Sequence, residues 1–183
     1  VKRLLLSVIG EPGVGKSTAV RLMWAALGVE RSELGHDGVP HMLRFDGSDR
    51  LIGAEVGLDR HPFGGTDALS MSVMPQALEW IQRQRDVPLI VAEGDRLASP
   101  RFYGASRRAN RQVLIVWING PTQAAARRII RHPTQQNDSW VKGRQTKVER
   151  LARAQGAIEL PAERTPTRLG YDLAQMTMAT LAS

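Results

Sequence analysis

Gly10, Gly15, Lys16 and Ser17 stand in the spacing Gly-x-x-x-x-Gly-Lys-Ser, inside the stretch VIGEPGVGKSTAV at 8–20. That pattern is the sequence form of a loop that holds phosphate. Glycine accepts positive φ and lets another group approach the backbone, so successive N–H groups can face one concavity. The expected donors are the N–H groups of Gly13, Val14, Gly15 and Lys16, with Gly10 opening the turn. A following helix adds the positive end of its dipole. Lys16 supplies charge to the outer phosphates of a nucleoside triphosphate, Ser17 a ligand for Mg²⁺, and Thr18 a hydrogen bond to the innermost phosphate.

A hydroxyl that is to accept a phosphoryl group needs a carboxylate within about 2.6–3.2 Å to orient it and take its proton. Asp67, in FGGTDALSM (63–71), is the first choice for this base, and Asp95, in VAEGDR (91–96), is the second. Glu93 or Asp95 is expected to organise the water shell of Mg²⁺. Each carboxylate has another reading: Asp67 as a helix cap, and Glu93 or Asp95 as an ion-pair partner of Arg96 or of a later arginine. Asp46 and Asp49 compete only if residues 41–45 form a parallel strand ending in the site. The Asp46-Gly47 pair between two apolar pieces favours a hairpin, which makes both aspartates turn residues.

Arg127, Arg128 and Arg131, with Arg144 and Lys147, bracket the polar segment 133–140. A planar guanidinium grips phosphate oxygens in a fork, so the bracket suits a basic lid near 127–147. Arg128 and Arg144 are expected at the transition state, and Arg127 and Arg131 on the nucleotide. A solvated helix face is the competing reading for each. Phe63, Phe102, Tyr103 and Trp140 could stack on an extruded base, or simply fill the core.

These residues need elements to position them. Leu4, Leu5, Leu6, Val8 and Ile9 read as a buried parallel strand, and residues 18–27 as a helix ending before Gly28. Residues 41–45 and 50–56 read as a β-hairpin excursion. A helix is expected from Thr66 or Asp67 through Ile81, then a buried strand at 87–95, a third strand at 111–120 and a helix from Pro121 or Thr122 to His132. A basic helix at 139–154, a short strand at 157–160 and a closing helix at 166–181 complete the chain. Strands alternating with helices mean an α/β fold, with ligands at the carboxyl ends of the strands.

The 183 residues suit one domain, 1–183, without internal repeats. The absence of cysteine excludes disulfide frameworks, thiolate zinc sites and cysteine nucleophiles, and is compatible with a reducing cytoplasm. The four histidines lack metal-ligand spacing. No apolar run reaches membrane-spanning length, and the first residues read as a core strand, so a cytoplasmic protein without membrane contact is expected. A formal net charge of +7, concentrated at 83–85, 106–111, 126–132 and 142–153, attracts polyanions. The bland reading of those arginines is phosphate handling plus solvated helix faces.

The late strand ends in WINGPT (117–122), which is not the Asn-Lys-x-Asp of a GTPase, and the middle strand ends in VAEGDR, without the adjacent Asp-Glu of a motor ATPase. Over nearly its whole length the chain resembles the nucleoside and nucleotide kinases of the P-loop class. That resemblance implies a three-layer sandwich around a mainly parallel five-stranded sheet, with ATP and Mg²⁺ as cofactors. FDGSDR (45–50) is partly similar to a pattern in adenylylsulfate kinases. FGGTDALSMSVMP (63–75), VAEGDRL (91–97) and WVKGRQTKVERL (140–151) together resemble the bacteriophage kinases that phosphorylate 5-hydroxymethyluracil in DNA. The closer resemblance implies a DNA partner and a hydroxyl on a base as acceptor. A kinase of a free nucleoside, nucleotide or adenylylsulfate, and a nucleotide-dependent DNA-binding ATPase, are the alternatives.

Overall fold

The computed structural model describes residues 2–35, 37–58, 65–120, 124 and 138–183, the side chains of 138 and 140 excepted. In chain order the elements are β1 (Leu4–Ile9), α1 (Lys16–Ala26), β2 (Arg31–Gly35), β3 (His41–Phe45) and β4 (Leu51–Val56). A 3₁₀ turn (Thr66–Ala68), α2 (Met74–Arg83), β5 (Leu89–Glu93), α3 (Pro100–Arg108) and β6 (Gln112–Asn119) follow. The chain closes with α4 (Asp138–Gln155), β7 (Ile158–Pro161) and α5 (Pro166–Ala182).

The strands form one sheet in the order β2-β3-β4-β5-β1-β6-β7. β4, β5, β1, β6 and β7 run parallel, while β3 is antiparallel to both β2 and β4. β1 lies at the centre of the parallel part, Leu4 level with both Leu89 and Gln112, which explains why all six of its residues are buried. Successive side chains alternate between faces. Leu5 and Ile9 join the core under α2, α3 and α4, with Trp80, Phe102 and Val148; Leu4, Leu6 and Val8 join the core under α1 and α5, with Met23 and Leu173. Helices therefore cover both faces, as a parallel sheet requires. Truncating a side chain buried this deeply, such as Leu5→Ala, costs about 2–5 kcal/mol.

The sheet has seven strands among the described residues, and the expected five is corrected. Part of the difference is β2, whose RSELG exposes its middle three residues and carries no apolar run to announce a strand. The other part is β4. It closes the expected hairpin with β3 but also pairs in parallel with β5, Gly53 level with Leu89, so it belongs to the main sheet. The helix expected from Thr66 is also corrected. A single 3₁₀ turn at Thr66–Ala68 is followed by an open loop, and α2 begins only at Met74, with Pro75 in its first turn. Proline lacks the N–H that a continuous helix needs there, but it fits a helix start. The basic helix, the final strand and the closing helix lie where expected, within a residue or two. The helix expected at 121–132 falls outside the described residues apart from Ala124, and of the expected lid only its second half, the start of α4, is described. No helix among the described residues is long and apolar enough to cross a membrane.

Candidate active site

The ends of β1, β4 and β5 all point to the carboxyl edge of the sheet, and the residues after β1 and β5, together with the segment at 65–67, build the site. After Ile9 the backbone turns with φ of +157° at Gly10, +87° at Gly13 and +102° at Gly15. The last two values are left-handed, where glycine alone is unstrained. A Cβ on Gly10 would come within 2.5 Å of the Ile118 carbonyl oxygen, so the loop is pressed against β6 and only glycine fits. Gly15 precedes α1, the geometry that aims free N–H groups at an anion. Lys16 is 7% exposed, and its Nζ donates to the carbonyls of Gly10 at 2.9 Å and Glu11 at 3.1 Å. The ammonium thus lies across the mouth of the loop, and Val14 anchors the loop in the core. Ser17 and Thr18 occupy the first turn of α1.

Ser17 Oγ donates to Glu93 Oε2 across 3.2 Å. Adjacent oxygens in an octahedral Mg²⁺ shell lie about 2.9 Å apart, from bonds of 2.0–2.1 Å. The pair is therefore spaced to be held by one hard cation with little movement. No group of three or more His, Cys, Asp or Glu that could hold a metal occurs among the described residues. Mg²⁺ on a nucleotide needs fewer protein ligands than that, since water and phosphate fill its shell.

Glu93 is buried at the end of β5, and its pKa is pushed up to about 7. Burial is the main cause; nearby Asp67 and Glu55 add to it, while Lys16 and the Ser17 hydroxyl oppose it. Such a carboxyl gains most from a cation placed against it. Beyond the turn at Gly94, Asp95 is also buried, and its pKa is raised by burial against the pull of Lys16, Arg144 and Lys147. Arg144 Nη1 donates to Asp95 Oδ2 at 2.8 Å. Asp95 Oδ1 has no hydrogen-bond partner among the described residues.

The segment at 65–67 is locked against this strand end. Thr66 Oγ1 donates to the Glu93 carbonyl at 2.8 Å, and the Asp95 N–H donates to Asp67 Oδ1 at 3.3 Å. A Cβ on Gly65 (φ +60°) would lie 2.4 Å from Glu93 Oε2, and one on Gly94 (φ +110°) would lie 2.8 Å from Thr66 Oγ1. Two glycines thus allow the backbone approach that brings Asp67 beside Asp95. Asp67 itself is exposed.

Above these groups lies a cleft of about 530 Å³, walled by Met71, Asp95, Arg96, Gly143, Arg144 and Lys147. Its cations come from β5's exit and from α4. The Arg96 Nε is buried without a hydrogen-bond partner among the described residues.

Of the expected site residues, the structure brings Lys16, Ser17, Asp67, Glu93, Asp95, Arg144 and Lys147 into one electrostatic neighbourhood. Arg144 meets Asp95, so the ion-pair reading of that aspartate is realised with the expected lid arginine. Asp46 and Asp49 stand in the β3–β4 turn at the opposite edge of the sheet. Asp46 there accepts from the N–H of Ser48 and of Arg50 and from the Ser48 hydroxyl. Phe102 and Tyr103 are fully buried, so of the two readings of these aromatics core filling is the one realised for both. Phe63, Arg127, Arg128 and Arg131 lie outside the described residues, as does the side chain of Trp140.

Gln145 and Glu11 were not legible as site residues. Gln145 Nε2 donates to Glu11 Oε2 at 2.6 Å, tying α4 to the phosphate loop. Adjacent residues of α4 thus reach the two sides of the site, Arg144 to Asp95 and Gln145 to Glu11. The only signal in the sequence is that Gln145 neighbours Arg144 in a basic helix, and that says nothing of its partner.

The fold is similar to that of a gluconokinase from Sinorhizobium meliloti 1021, at 13% identity and a TM-score of 0.57, covering 99% of this chain and 96% of that one. A shikimate kinase from Aquifex aeolicus vf5 matches at 12% identity and a TM-score of 0.49, over 98% of each chain. No curated protein sequence matches the chain. The model of the family described as P-loop Nucleotide Kinase3 matches residues 1–166, and the chain belongs to that family of P-loop nucleotide kinases.

Proposed function

We propose that this protein is an ATP- and Mg²⁺-dependent phosphotransferase whose acceptor is a hydroxyl on a base, the 5-hydroxymethyl group of 5-hydroxymethyluracil in DNA. The observation that carries the reading is a convergence. Three segments far apart in the chain, around Gly65-Thr66-Asp67, Glu93-Gly94-Asp95 and Arg144, resemble one set of kinases, and the hydrogen bonds Thr66–Glu93, Asp95–Asp67 and Arg144–Asp95 join them. Segments that meet at one point beside a phosphate loop are placed to act together.

Bound Mg²⁺ would neutralise charge on the outer phosphates. The chain's own residues do the rest. The loop N–H groups and Lys16 hold and align the phosphates, while Ser17 and Glu93 provide the metal's protein oxygens. Asp67, exposed beside the buried Asp95, takes the acceptor's proton as its oxygen bonds to the γ-phosphorus and the bond to the departing ADP breaks. Asp95 holds Arg144 at the cleft wall, where its charge serves the transferring oxygens, and Arg128 is assigned the same role. Arg127 and Arg131 serve the nucleotide. Arg96 and Lys147 give the cleft a positive rim for the backbone phosphates of DNA.

The test is product analysis with γ-labelled ATP, offering hydroxymethyluracil-containing DNA beside the free nucleoside and nucleotide. Label on the DNA supports the reading. Label on the small acceptors alone overturns it in favour of a small-molecule kinase, and ATP-modulated DNA binding without any phosphorylated product overturns it in favour of a binding module.

A further inference from the structure

We propose that Met71 is a wedge that enters a DNA duplex at the acceptor base and fills the place the base leaves. The inference rests on the DNA-kinase reading above and extends it from the acceptor's identity to how the acceptor is reached.

The charged groups around the phosphate site are recessed. Lys16 and Asp95 are each 7% exposed and Glu93 is 3% exposed, while Asp67, itself exposed, is tied to the Asp95 backbone N–H beside them. A base stacked and paired inside a duplex cannot bring its 5-substituent to a phosphate held that deep, so it must leave the stack. Leaving opens a gap between its neighbours, and proteins that distort DNA fill such gaps with an apolar side chain, methionine among those used. The aromatic candidates Phe102 and Tyr103 are fully buried and cannot serve.

Met71 is 83% exposed, the most exposed large apolar side chain among the described residues. It lines the rim of the same cleft as Asp95, Arg96, Arg144 and Lys147. Its display is built into the loop. Leu69 and Val73 on either side are buried in the core, the Ser70 and Ser72 hydroxyls lie 2.9 Å apart, and the Val73 N–H donates to the Ser70 carbonyl at 3.2 Å. The turn is thus pinned at both ends and presents one flexible, polarisable thioether to solvent. Such a side chain makes favourable contacts with aromatic faces, and the unbranched stem fits a narrow gap. The cations around it would hold the flanking phosphates while the base swings toward Asp67.

The experiment compares kcat/KM of wild type, Met71→Ala and Met71→Leu on one sequence carrying a single 5-hydroxymethyluracil, presented as a single strand, as a paired duplex, and as a duplex with an abasic site opposite. Met71 is exposed, so the variants fold. For Met71→Ala the ratio of duplex to single-strand kcat/KM falls about ten-fold or more. Met71→Leu keeps most of that ratio, and the abasic site, which removes the pairing to be broken, restores much of it in Met71→Ala. A 2-aminopurine opposite the target brightens when wild type binds and stays dim with Met71→Ala. An unchanged ratio in Met71→Ala, or a wild type that acts on single strands and ignores duplex, overturns the wedge while leaving the DNA kinase standing. A wild type that labels only free nucleosides or nucleotides removes the DNA reading itself, and the wedge with it.

Discussion

Ser17, in the first turn of α1, and Glu93, at the end of β5, are 76 residues apart in the chain and 3.2 Å apart at their side-chain oxygens. A buried carboxyl whose pKa burial lifts to about 7 is kept at an energetic cost, and a cation shared with the serine relieves it. Replacing Glu93 by Gln keeps the shape and an oxygen for the Ser17 hydroxyl, but removes the charge. The Mg²⁺ concentration for half-maximal turnover at saturating ATP is expected to rise about ten-fold or more. A magnesium titration that superimposes on that of the wild type would take Glu93 out of the metal site.

Asp67 and Lys16 should separate into different kinetic classes. Asp67→Asn keeps a side-chain oxygen for the Asp95 N–H, so the contact between the 65–67 segment and β5 survives. What it loses is the capacity to take a proton, and turnover is expected to fall about 10²–10⁴-fold with ATP affinity nearly unchanged. Lys16→Ala removes charge from the phosphates and should abolish both transfer and tight ATP binding. Calorimetric titration with a non-hydrolysable ATP analogue, beside turnover, distinguishes them. Normal turnover in Asp67→Asn would move the base to Asp95.

The Gln145–Glu11 hydrogen bond predicts a rescue. Gln145→Glu sets two carboxylates against each other at the phosphate loop, and KM for ATP is expected to rise by about ten-fold, from loss of a short charge-assisted bond and added repulsion. Adding Glu11→Gln exchanges donor and acceptor and should recover most of the loss. If the double variant is as poor as the worse single one, the contact does not position the loop.

Much of this architecture was legible in the sequence because period and punctuation were strong. LLLSVI announces a buried parallel strand, and GEPGVGKS announces the loop by spacing alone. VAEGD ends an apolar run in carboxylates at the edge where ligands bind. β2 was illegible because an edge strand half in water carries no apolar pattern. The break after Ala68 was hidden by apolar residues at helical spacing on both sides of it, although Pro75 marked the true helix start. Phe102 and Tyr103 show a different limit. An aromatic near site residues in the chain reads the same whether α3 turns it to solvent or to the sheet, and only packing decides. The partners of Arg144 and Gln145 were out of reach for a similar reason, since long-range pairing leaves no local trace.

The β3–β4 turn yields a prediction that separates stability from catalysis. Asp46 accepts from the Ser48 hydroxyl, from the backbone of Ser48 and Arg50 and from the Arg50 guanidinium, and the first of these does most to lower its pKa from 3.8 to about 2. A carboxyl depressed in the folded state stabilises above its unfolded pKa, and that stabilisation is lost as pH falls through the folded value. Asp46→Ala should therefore melt below wild type at pH 6. The gap in melting temperature should hold down to about pH 4 and close as the pH approaches about 2. Because the turn lies at the sheet edge away from the phosphate loop, turnover at pH 7 and a temperature well below melting should stay within about two-fold of wild type, as for a surface substitution remote from the chemistry. A melting gap independent of pH would show that the carboxylate charge is not what holds the turn. A collapse of turnover in a folded Asp46→Ala would return Asp46 to the contest for the base.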